Sequence, residues 1–442
     1  MDVIAALCAV FILLMYCVYK GIFLFYPLFA GLIIFIAIAA RHGFKSGELM
    51  GMVLRSSRKS LMIINILILI GAITAVWRAS GTVAYVVYYG IKLMNPNYFV
   101  VYAFILSCIV SVLLGSSFGT VGTIGTILIV MVKGGNMNIN MVSGAIIAGA
   151  YFGDRISPMS SSANLVAAVT DTELYKNVKN MFKTTVVPFV FTLAIYTVLS
   201  LKNPLHLGEN RISTEIMNAF NLNVIVILPA VVILLLAAFR VDVKLSMFIS
   251  IVCGAVIAVL VQKVAIPDIL RYIVSGYEMS GQTLLGGIIK GGGVISMLKS
   301  ALIILVAFAL SGVFEGAALL KDIEAWFEKL SSKIGIFATM IITSLVTSSF
   351  GCSQTLALML AYQLMKKVYD SSGKDKYEMA IDIEDTAIVL SVMIPWNISA
   401  AVPAATLAVD SGFVGYAIFL YILPLFSLLS KRFRFLRLEF GK

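Results

Sequence analysis

The residues best suited to chemistry in this chain surround Asp154, in the segment GAYFGDRISPMSSSANL (149–165). Asp154 precedes Pro158, which breaks a helix, and a run of serines that ends near an asparagine. Hard cations such as sodium prefer oxygen ligands, and a desolvated carboxylate can exchange a proton. The alternative is that Asp154 pairs with Arg155 or caps a helix. The predicted ion- or substrate-binding residues here are Asp154, Ser157, Ser161 and Asn164.

A segment rich in glycine and hydroxyl groups, GSSFGTVGTIGT (115–126), precedes this one. Glycines let the backbone leave a regular helix, and the freed carbonyls and hydroxyls can replace the hydration shell of a small cation. The same pattern is typical of close helix packing through small residues, and the segment alone favours neither interpretation. The predicted binding residues in it are Ser117, Thr120 and Thr123.

Corresponding pieces occur late in the chain, in SSFGCSQT (348–355) and DIEDTAIVLSVMIPWNISAAVPAAT (382–406). Pro395 breaks the second piece, and Trp396 then serves either as an interfacial anchor or as a wall of the substrate site. The predicted binding residues are Ser353, Gln354, Glu384, Asp385, Trp396 and Asn397. For sodium, the predicted ligands are Asp154, Asn164, Asp385 and Asn397.

Two more ionisable residues lie in apolar segments, Arg78 in AVWRASG and Glu315 in SGVFEGA. Ionisable side chains inside a bilayer are costly, so those that occur are usually paired or functional. The two residues fall opposite each other when the halves of the chain are overlaid. We predict that Arg78 and Glu315 form a charge pair, which would neutralise both; unpaired, Glu315 would be a proton carrier.

The composition requires a membrane to position these residues. The 442 residues are 60% hydrophobic and 12% charged, with a mean hydropathy of +1.02, whereas about a quarter of a soluble protein is charged. Since a helix needs about 20 apolar residues to cross a bilayer, the chain can supply about 11–13 spans. Shorter glycine-rich segments predict broken helices or re-entrant hairpins. The expected fold class is an all-α polytopic membrane protein.

Internal similarity predicts two repeats. The segment SSFG occurs at 116–119 and again at 348–351. A second pattern, an acid followed by Ser, Pro and Asn, starts at Asp154 and again at Asp385. The basic loop 41–60 predicts a cytoplasmic start for the first repeat, and the weakly charged linker before the second is placed outside, so the repeats are expected to be inverted, as in secondary transporters. The expected organisation is an N-terminal hairpin and loop (1–54), a first repeat (55–201), connecting spans and a linker (202–297), and a second repeat with a basic tail (298–442).

Other functional classes find no support in the sequence. The net charge of +11 comes from cations that flank apolar runs, which indicates positive-inside topology rather than nucleic-acid binding. The five cysteines lack metal-ligand spacing. The sequence has no Walker A run, no HExxH and no GxSxG with catalytic partners, which argues against an enzyme or an ATP-driven pump. We expect a multi-pass protein of the inner (plasma) membrane with both termini cytoplasmic and no cofactor besides Na⁺ or H⁺ as coupling ions.

The segments GSSFGTVGTIGT, AGAYFGDRISPMSSSANL and IEDTAIVLSVMIPWN together resemble the NhaC family of sodium/proton antiporters, part of the wider ion-transporter superfamily. The resemblance covers most of the chain after the first basic loop. It implies an inverted-repeat transporter that uses ion gradients and forms a homodimer in the lipid bilayer. The residues that match the family pattern are Asp154, Asn164, Gln354, Glu384, Asp385, Trp396 and Asn397.

Departures from the family pattern bear on the substrate. Ser161 and Ser353 stand where the pattern commonly has acids, and Val392 interrupts its usual Ser-Pro-Leu. With two fewer carboxylates, serine-rich helix ends suit a carboxylate-bearing solute better than a bare cation. The family resemblance itself favours a secondary active transporter of NhaC antiporter type that couples Na⁺ and/or H⁺ gradients by alternating access, and this is our prediction. The alternative is Na⁺- or H⁺-coupled transport of an amino acid or small organic acid, and a channel is less favoured.

Overall fold

The computed structural model describes residues 2–135, 137–205, 209–279, 284–317 and 324–440. Those residues form helices and connecting turns, and their one β-type feature is an isolated antiparallel bridge between Tyr277 and Gly291. The prediction of an all-α membrane protein is confirmed. The last two residues of the expected basic tail, 441 and 442, lie outside the described residues.

The helices follow the apolar segments of the sequence. Those before the connecting region are α1 (Asp2–Tyr19), α2 (Phe25–Arg41), α3 (Ser46–Ala79), α4 (Thr82–Leu93), α5 (Phe99–Leu114), α6 (Ser117–Thr120), α7 (Thr126–Lys133), α8 (Ile139–Ile156), α9 (Ser161–Val169) and α10 (Leu174–Lys202). A π-helix, Val121–Gly125, joins α6 to α7. The connecting region contains α11 (Glu209–Ala219), α12 (Leu228–Ala238), α13 (Val243–Leu260), α14 (Ile266–Ser275) and α15 (Leu284–Ile289).

The last third of the chain is built in the same way. Its helices are α16 (Leu298–Gly316), α17 (Glu324–Ile334), α18 (Ile336–Gly351), α19 (Gln354–Ser371), α20 (Lys376–Ile383), α21 (Ile398–Leu407) and α22 (Ile418–Phe440). After α20 the chain continues as a π-helix, Glu384–Ile388, and then as a short 3₁₀ turn, Ser391–Met393. Helix α20 and its continuation are bent by 51° relative to α21.

Within the described ranges, five helices are long and apolar enough to cross a membrane, or up to seven if each bent pair is one span. The five are α3, α10, α13, α16 and the element that ends with α5. Five shorter apolar helices of 10–17 residues accompany them. The figure of about 11–13 spans stays a prediction, because the broken helices are individually shorter than the ~20 residues that a full crossing needs.

The helix boundaries repeat with a constant offset of 237 residues. Helices α3 and α16 end at Ala79 and Gly316, and α8 and α20 begin at Ile139 and Lys376. Helices α5 and α18 match at both ends with the same offset. The two halves are therefore structural repeats.

This offset corrects two landmarks on which the repeat was predicted. The two SSFG segments are 232 residues apart, so they are not equivalent. Asp154 is equivalent to Ser391, and Asp385 to Ala148, so the two acids do not occupy matching positions. A match of a few identical residues is a poor guide to equivalent positions in this chain. An apolar helix requires an apolar or small side chain at each position but does not fix which one.

The equivalent helices α3 and α16 pack against each other in opposite directions. Gly312, near the end of α16, lies against Ser56, near the start of α3. Gly71, further along α3, lies against Gly293, just before α16, and a Cβ added at Gly71 would be 2.7 Å from the Gly293 carbonyl oxygen. Antiparallel contact between equivalent helices is the arrangement expected of inverted repeats.

Candidate functional site

Two helix breaks have the same backbone geometry in the two repeats. After α5 the chain turns at Gly115, with a φ of 60°, and after α18 it turns at Cys352, with a φ of 51°. A residue in this left-handed region commonly ends a helix. Each turn is followed by an extended serine, Ser116 or Ser353, and then by a new helix, α6 or α19.

The other two breaks interrupt the helices that carry the acids. Helix α9 begins after Ser160, whose hydroxyl accepts hydrogen bonds from the amides of Ser162 and Ala163. Helix α21 begins after Asn397, whose side chain accepts from the amide of Ser399. Serine and asparagine are favoured at these positions because they satisfy amides that have no partner within the helix. The broken helices expected from the sequence are thus present in both repeats.

A cavity of about 510 Å³ lies where these four helices begin. Its wall includes Ser117 of α6, Ser161 of α9, Gln354 of α19 and Ser399 of α21, together with Asp154 near the end of α8. The amides in the first turn of a helix carry partial positive charge. The cavity therefore has a polar wall although the helices around it are apolar.

The opposite wall of the cavity comes from α3 and from the start of α13. Helix α3 contributes apolar side chains, whereas the segment before and into α13 contributes Arg240, Asp242 and Lys244. Arg240 and Asp242 are exposed, so the cavity reaches the surface at this segment. Two cationic side chains and one acid thus surround its outer part.

Asp154 is the acid in the deep wall of this cavity, and only 4% of it is exposed. Its Oδ1 accepts a hydrogen bond from the Ser160 hydroxyl at 3.0 Å. Its Oδ2 accepts from the Ser162 hydroxyl at 3.1 Å and from the Gln354 amide at 3.5 Å. All three donors are neutral, and Gln354 belongs to the other repeat. The carboxylate therefore has no cationic partner among the described residues.

Close packing of α8 against α5 sets the position of Asp154. A Cβ added at Gly149 would lie 2.6 Å from the Phe104 carbonyl oxygen and 2.7 Å from the Ser107 Cβ, so only glycine lets the two helices approach this closely. Gly153, one residue before the acid, is similarly crowded by Ser111. The glycines of AGAYFG thus serve helix packing, which in turn holds Asp154 at the cavity.

Arg155, the residue after Asp154, pairs with Asp385 and not with its neighbour. Both side chains of this pair are fully buried. The guanidinium also donates to the hydroxyls of Thr185 at 2.5 Å and Thr184 at 2.8 Å, and Asp385 accepts from Ser427 at 2.6 Å. A buried pair needs such additional hydrogen bonds to offset desolvation. Asp385 is therefore bound to a cation of the protein itself.

Glu384 is 1% exposed, and neither of its carboxylate oxygens has a hydrogen-bond partner among the described residues. It is the first residue of the π-helix that follows α20. The structure thus separates the three predicted acids into one at the cavity, one in an ion pair and one buried without a donor.

Several of the predicted binding residues use their side chains within the fold. The Ser157 hydroxyl donates to the Val112 carbonyl at 2.8 Å, and the hydroxyls of Thr120 and Thr123 donate to carbonyls one turn earlier. The Asn164 amide donates to the Ser160 carbonyl at 2.7 Å. These contacts support the small-residue packing interpretation of the Gly/Thr segment.

Asn397 and Trp396 also have structural partners. The Asn397 amide donates to the Ser348 carbonyl at 2.8 Å, besides capping α21. The Trp396 indole donates to the Ser349 carbonyl at 2.7 Å, and its fully buried ring packs edge-on against Phe11 at a centroid distance of 5.7 Å. With Asp385 ion-paired and Asn397 acting as a cap, Asp154 is left as the accessible acid of the predicted sodium set.

The predicted pair of Arg78 and Glu315 is wrong. Glu315 forms an ion pair with Lys59, with 3.4 Å between Glu315 Oε2 and Lys59 Nζ, and both side chains are about half exposed. Arg78 is buried, and its Nη1 donates to the Thr74 carbonyl at 2.6 Å. The residues are indeed equivalent under the 237-residue offset, but α3 and α16 run antiparallel, so equivalent helix ends lie apart rather than side by side.

The sequence analysis missed the residues that hold the acids. It selected Ser157 and Ser161 from the serine-containing segment, whereas Ser160 and Ser162 donate to Asp154. Spacing alone cannot choose among consecutive serines beyond a helix break. The buried Asp382, which pairs with Lys431 of α22, was also not selected; the i, i+4 spacing of Glu378 and Asp382 in α20 was the available signal.

No cluster of three or more His, Cys, Asp or Glu suited to a metal occurs in the part of the chain that the structure describes. An alkali cation at this site would therefore be cargo held by Asp154 together with neutral oxygens such as those of Ser160, Ser162 and Gln354.

Comparison with known proteins supports a transport function. The sequence profile of the Na⁺/H⁺ antiporter family matches residues 2–158 and 149–430. The Na⁺/H⁺ antiporter NhaC of Alkalihalophilus pseudofirmus is 29% identical, with 86% of this chain and 83% of the relative aligned.

Two further relatives are named for organic solutes. The malate-2H⁺/Na⁺-lactate antiporter of Bacillus subtilis is 28% identical over 87% of this chain and 83% of its own length. The arginine/ornithine antiporter ArcD of Halobacterium salinarum is 27% identical over 87% of this chain and 81% of its own length.

Proposed function

This chain belongs to the Na⁺/H⁺ antiporter family, and from that premise we propose that Asp154 carries its coupling ion, binding Na⁺ and H⁺ alternately. The observation that carries the proposal is the placement of Asp154. It is an acid that lines the large cavity, and its hydrogen-bond donors are all neutral. A carboxylate without a protein counter-ion needs a cation or a proton to be stable inside a membrane protein.

The surrounding helices suit alternating access. Asp154 belongs to the first repeat and receives a hydrogen bond from Gln354 of the second, so its environment changes if the repeats move relative to each other. Helices α9, α19 and α21 all start at the cavity after a residue in extended conformation, outside regular helix. An unloaded Asp154 would remain charged and oppose the transition, so loaded states alone would cross.

The test is transport by the purified protein in proteoliposomes. A sodium gradient is imposed and internal pH is followed with a trapped dye, with and without a panel of amino acids and carboxylates outside. A sodium-driven pH change without added solute supports cation/proton antiport. The absence of any pH change under every condition contradicts the proposal.

A second candidate, exchange of a small organic acid or amino acid, is favoured by the charge around the cavity. Four helix starts direct partial positive charge toward it, and Arg240 and Lys244 add two full charges. A volume of about 510 Å³ holds a solute much larger than a bare ion. If this candidate is correct, the proteoliposomes show no pH change until one solute of the panel is supplied. They then take up that solute in an ion-dependent manner.

We also propose a position in the plasma membrane with both termini cytoplasmic, and assembly as a homodimer. The support for orientation is the basic segment at the start of α3, which includes Lys45, Arg55 and Arg58. The support for the dimer is the family resemblance. Chemical cross-linking in native membranes tests the dimer, and a purely monomeric band contradicts it.

A further inference from the structure

Glu384 differs from the other buried acids in the part of the chain that the structure describes, because its carboxyl group has no hydrogen-bond or ion-pair partner there. Asp154 receives three hydrogen bonds, Asp385 pairs with Arg155, and Asp382 pairs with Lys431. Both oxygens of Glu384 lack a partner among the described residues. An ionised carboxylate in that situation pays the full cost of desolvation, so the stable form in this conformation carries a proton.

The neighbours of Glu384 do not remove this cost. The ionisable groups that act on it are Arg155 and Asp154 from α8 and the adjacent Asp385. Arg155 already binds Asp385, and the two negative groups disfavour a further charge.

The other elements packed around the π-helix offer no free cation. Helices α18 and α9 contain no ionisable side chain. From α20 and α22, Asp382 and Lys431 face this region and pair with each other. The charged residues of α19 begin at Lys366, in its second half.

The position itself does not require an acid. Under the 237-residue offset, Glu384 is equivalent to Ile147 of the first repeat, which is fully buried in the regular helix α8. An apolar side chain therefore satisfies the packing role in one repeat, whereas the other repeat places a titratable group there.

The backbone around Glu384 departs from regular α-helix. Residues 384–388 form a π-helix, followed by a 3₁₀ turn and a 51° bend. π-Helical segments inside α-helices are rare and frequently occur at functional sites. A shift of this broken helix would expose Glu384 to water or to the cavity, where its proton could leave.

From these observations we propose that Glu384 is a second proton-binding site, which takes up a proton from water on one side and releases it to water on the other in each transport cycle. The proposal rests on the proposed antiport function and adds one proton to the ion carried at Asp154. Glu384 is buried and protonated during the half-cycle that carries protons. During the half-cycle that carries sodium it is ionised, and the shifted broken helix keeps its carboxylate in contact with water.

The test compares the number of protons moved per sodium in the wild type and in Glu384→Gln, which fixes the neutral form at nearly the same volume. The ratio is obtained in proteoliposomes from the pH gradient that just balances an imposed sodium gradient, with the membrane potential clamped to zero. We expect two protons per sodium in the wild type and one in Glu384→Gln. Sodium/sodium counterflow, which needs no proton, should persist in the variant.

Glu378→Gln is the matched control. It makes the same change in α20, which leads into the π-helix, at a partly exposed residue that pairs with Lys374 and Lys431, and it should keep the wild-type ratio. If Glu384 only fills space, its glutamine variant also keeps that ratio, and this result overturns the proposal.

Two further measurements keep the outcomes separate. If Glu384→Gln does not fold, Glu384→Asp retains the acid and should show a displaced pH profile of transport; an unchanged profile overturns the proposal. An unchanged ratio in Glu384→Gln together with inactivity of Asp154→Asn would remove this second site and leave the proposed function standing. A wild type that moves no protons would remove both.

Discussion

Asp154, Asp385 and Glu384 are all buried acids, yet each has a different set of partners. Asp154 accepts from neutral groups at the cavity, Asp385 is bound by Arg155, and Glu384 has no donor within the described ranges. The sequence analysis selected all three from residue type and from the cost of charge in a membrane. It could not assign their roles, because the partners come from helices far away in the chain, such as Ser427 for Asp385.

The contribution of Arg155 to the stability of the fold should depend on Asp385, and that of Asp385 on Arg155. Replacing either residue with leucine leaves a buried charge without its partner and should cost about 3–5 kcal/mol. Replacing both should cost less than the sum, with a coupling energy of about 1–3 kcal/mol. Unfolding in detergent measures the four free energies of this cycle. Simple additivity would show that the two charges do not interact.

For the helices, the positions of the breaks were predicted better from the sequence than the residues that are equivalent in the two repeats. Pro158 and Pro395 marked the breaks that precede α9 and α21. The recurrence of SSFG suggested an offset of 232, whereas the helix boundaries give 237. Boundaries depend on caps and turns such as Gly115, which a four-residue identity does not register.

The approach of α8 to α5 is a second test at this scale. Gly149→Ala would place a Cβ 2.6 Å from the Phe104 carbonyl oxygen, and such overpacking typically costs about 1–3 kcal/mol. Transport should fall with it, because α8 carries Asp154. Unfolding and uptake assays of the variant check both effects.

Gly51→Ala is the control for this substitution. Gly51 is also helical, in α3, but nothing lies within 4 Å of an added Cβ. Alanine there should leave transport unchanged and raise stability by about 0.5–1 kcal/mol, because it restricts the unfolded chain. Equal losses in the two variants would mean that close packing at Gly149 is unimportant.

For the whole molecule, composition alone predicted the membrane class, whereas the Arg78–Glu315 pair shows the limit of overlaying repeats. Overlay identifies equivalent positions, but only the packing of α3 against α16 shows that equivalent helices are antiparallel. A two-fold relation brings the start of one helix to the end of the other. Glu315 therefore meets Lys59, which lies toward the start of α3.

Access to the cavity should be restricted to one side at a time. Ser161 is exposed and lines the cavity, so Ser161→Cys in a background without the native cysteines reports access to a membrane-impermeant thiol reagent. Since the cavity also includes Met62, Ile63 and Ile66 near the middle of α3, whose first turns carry the basic residues, we expect labelling from the cytoplasmic side. Equal labelling from both sides would indicate a continuous pore and favour a channel.

Asp154 is the residue that we propose to carry the coupling ion. The most direct test is sodium-driven pH change in proteoliposomes that contain either the wild type or Asp154→Asn, with equal amounts of folded protein confirmed by gel filtration. Asparagine keeps the size of the side chain and can still bond to Ser160 and Ser162, but it cannot take up a proton or balance a cation. We expect the wild type to move protons and the variant to match empty vesicles; an active variant with unchanged sodium dependence would contradict the account.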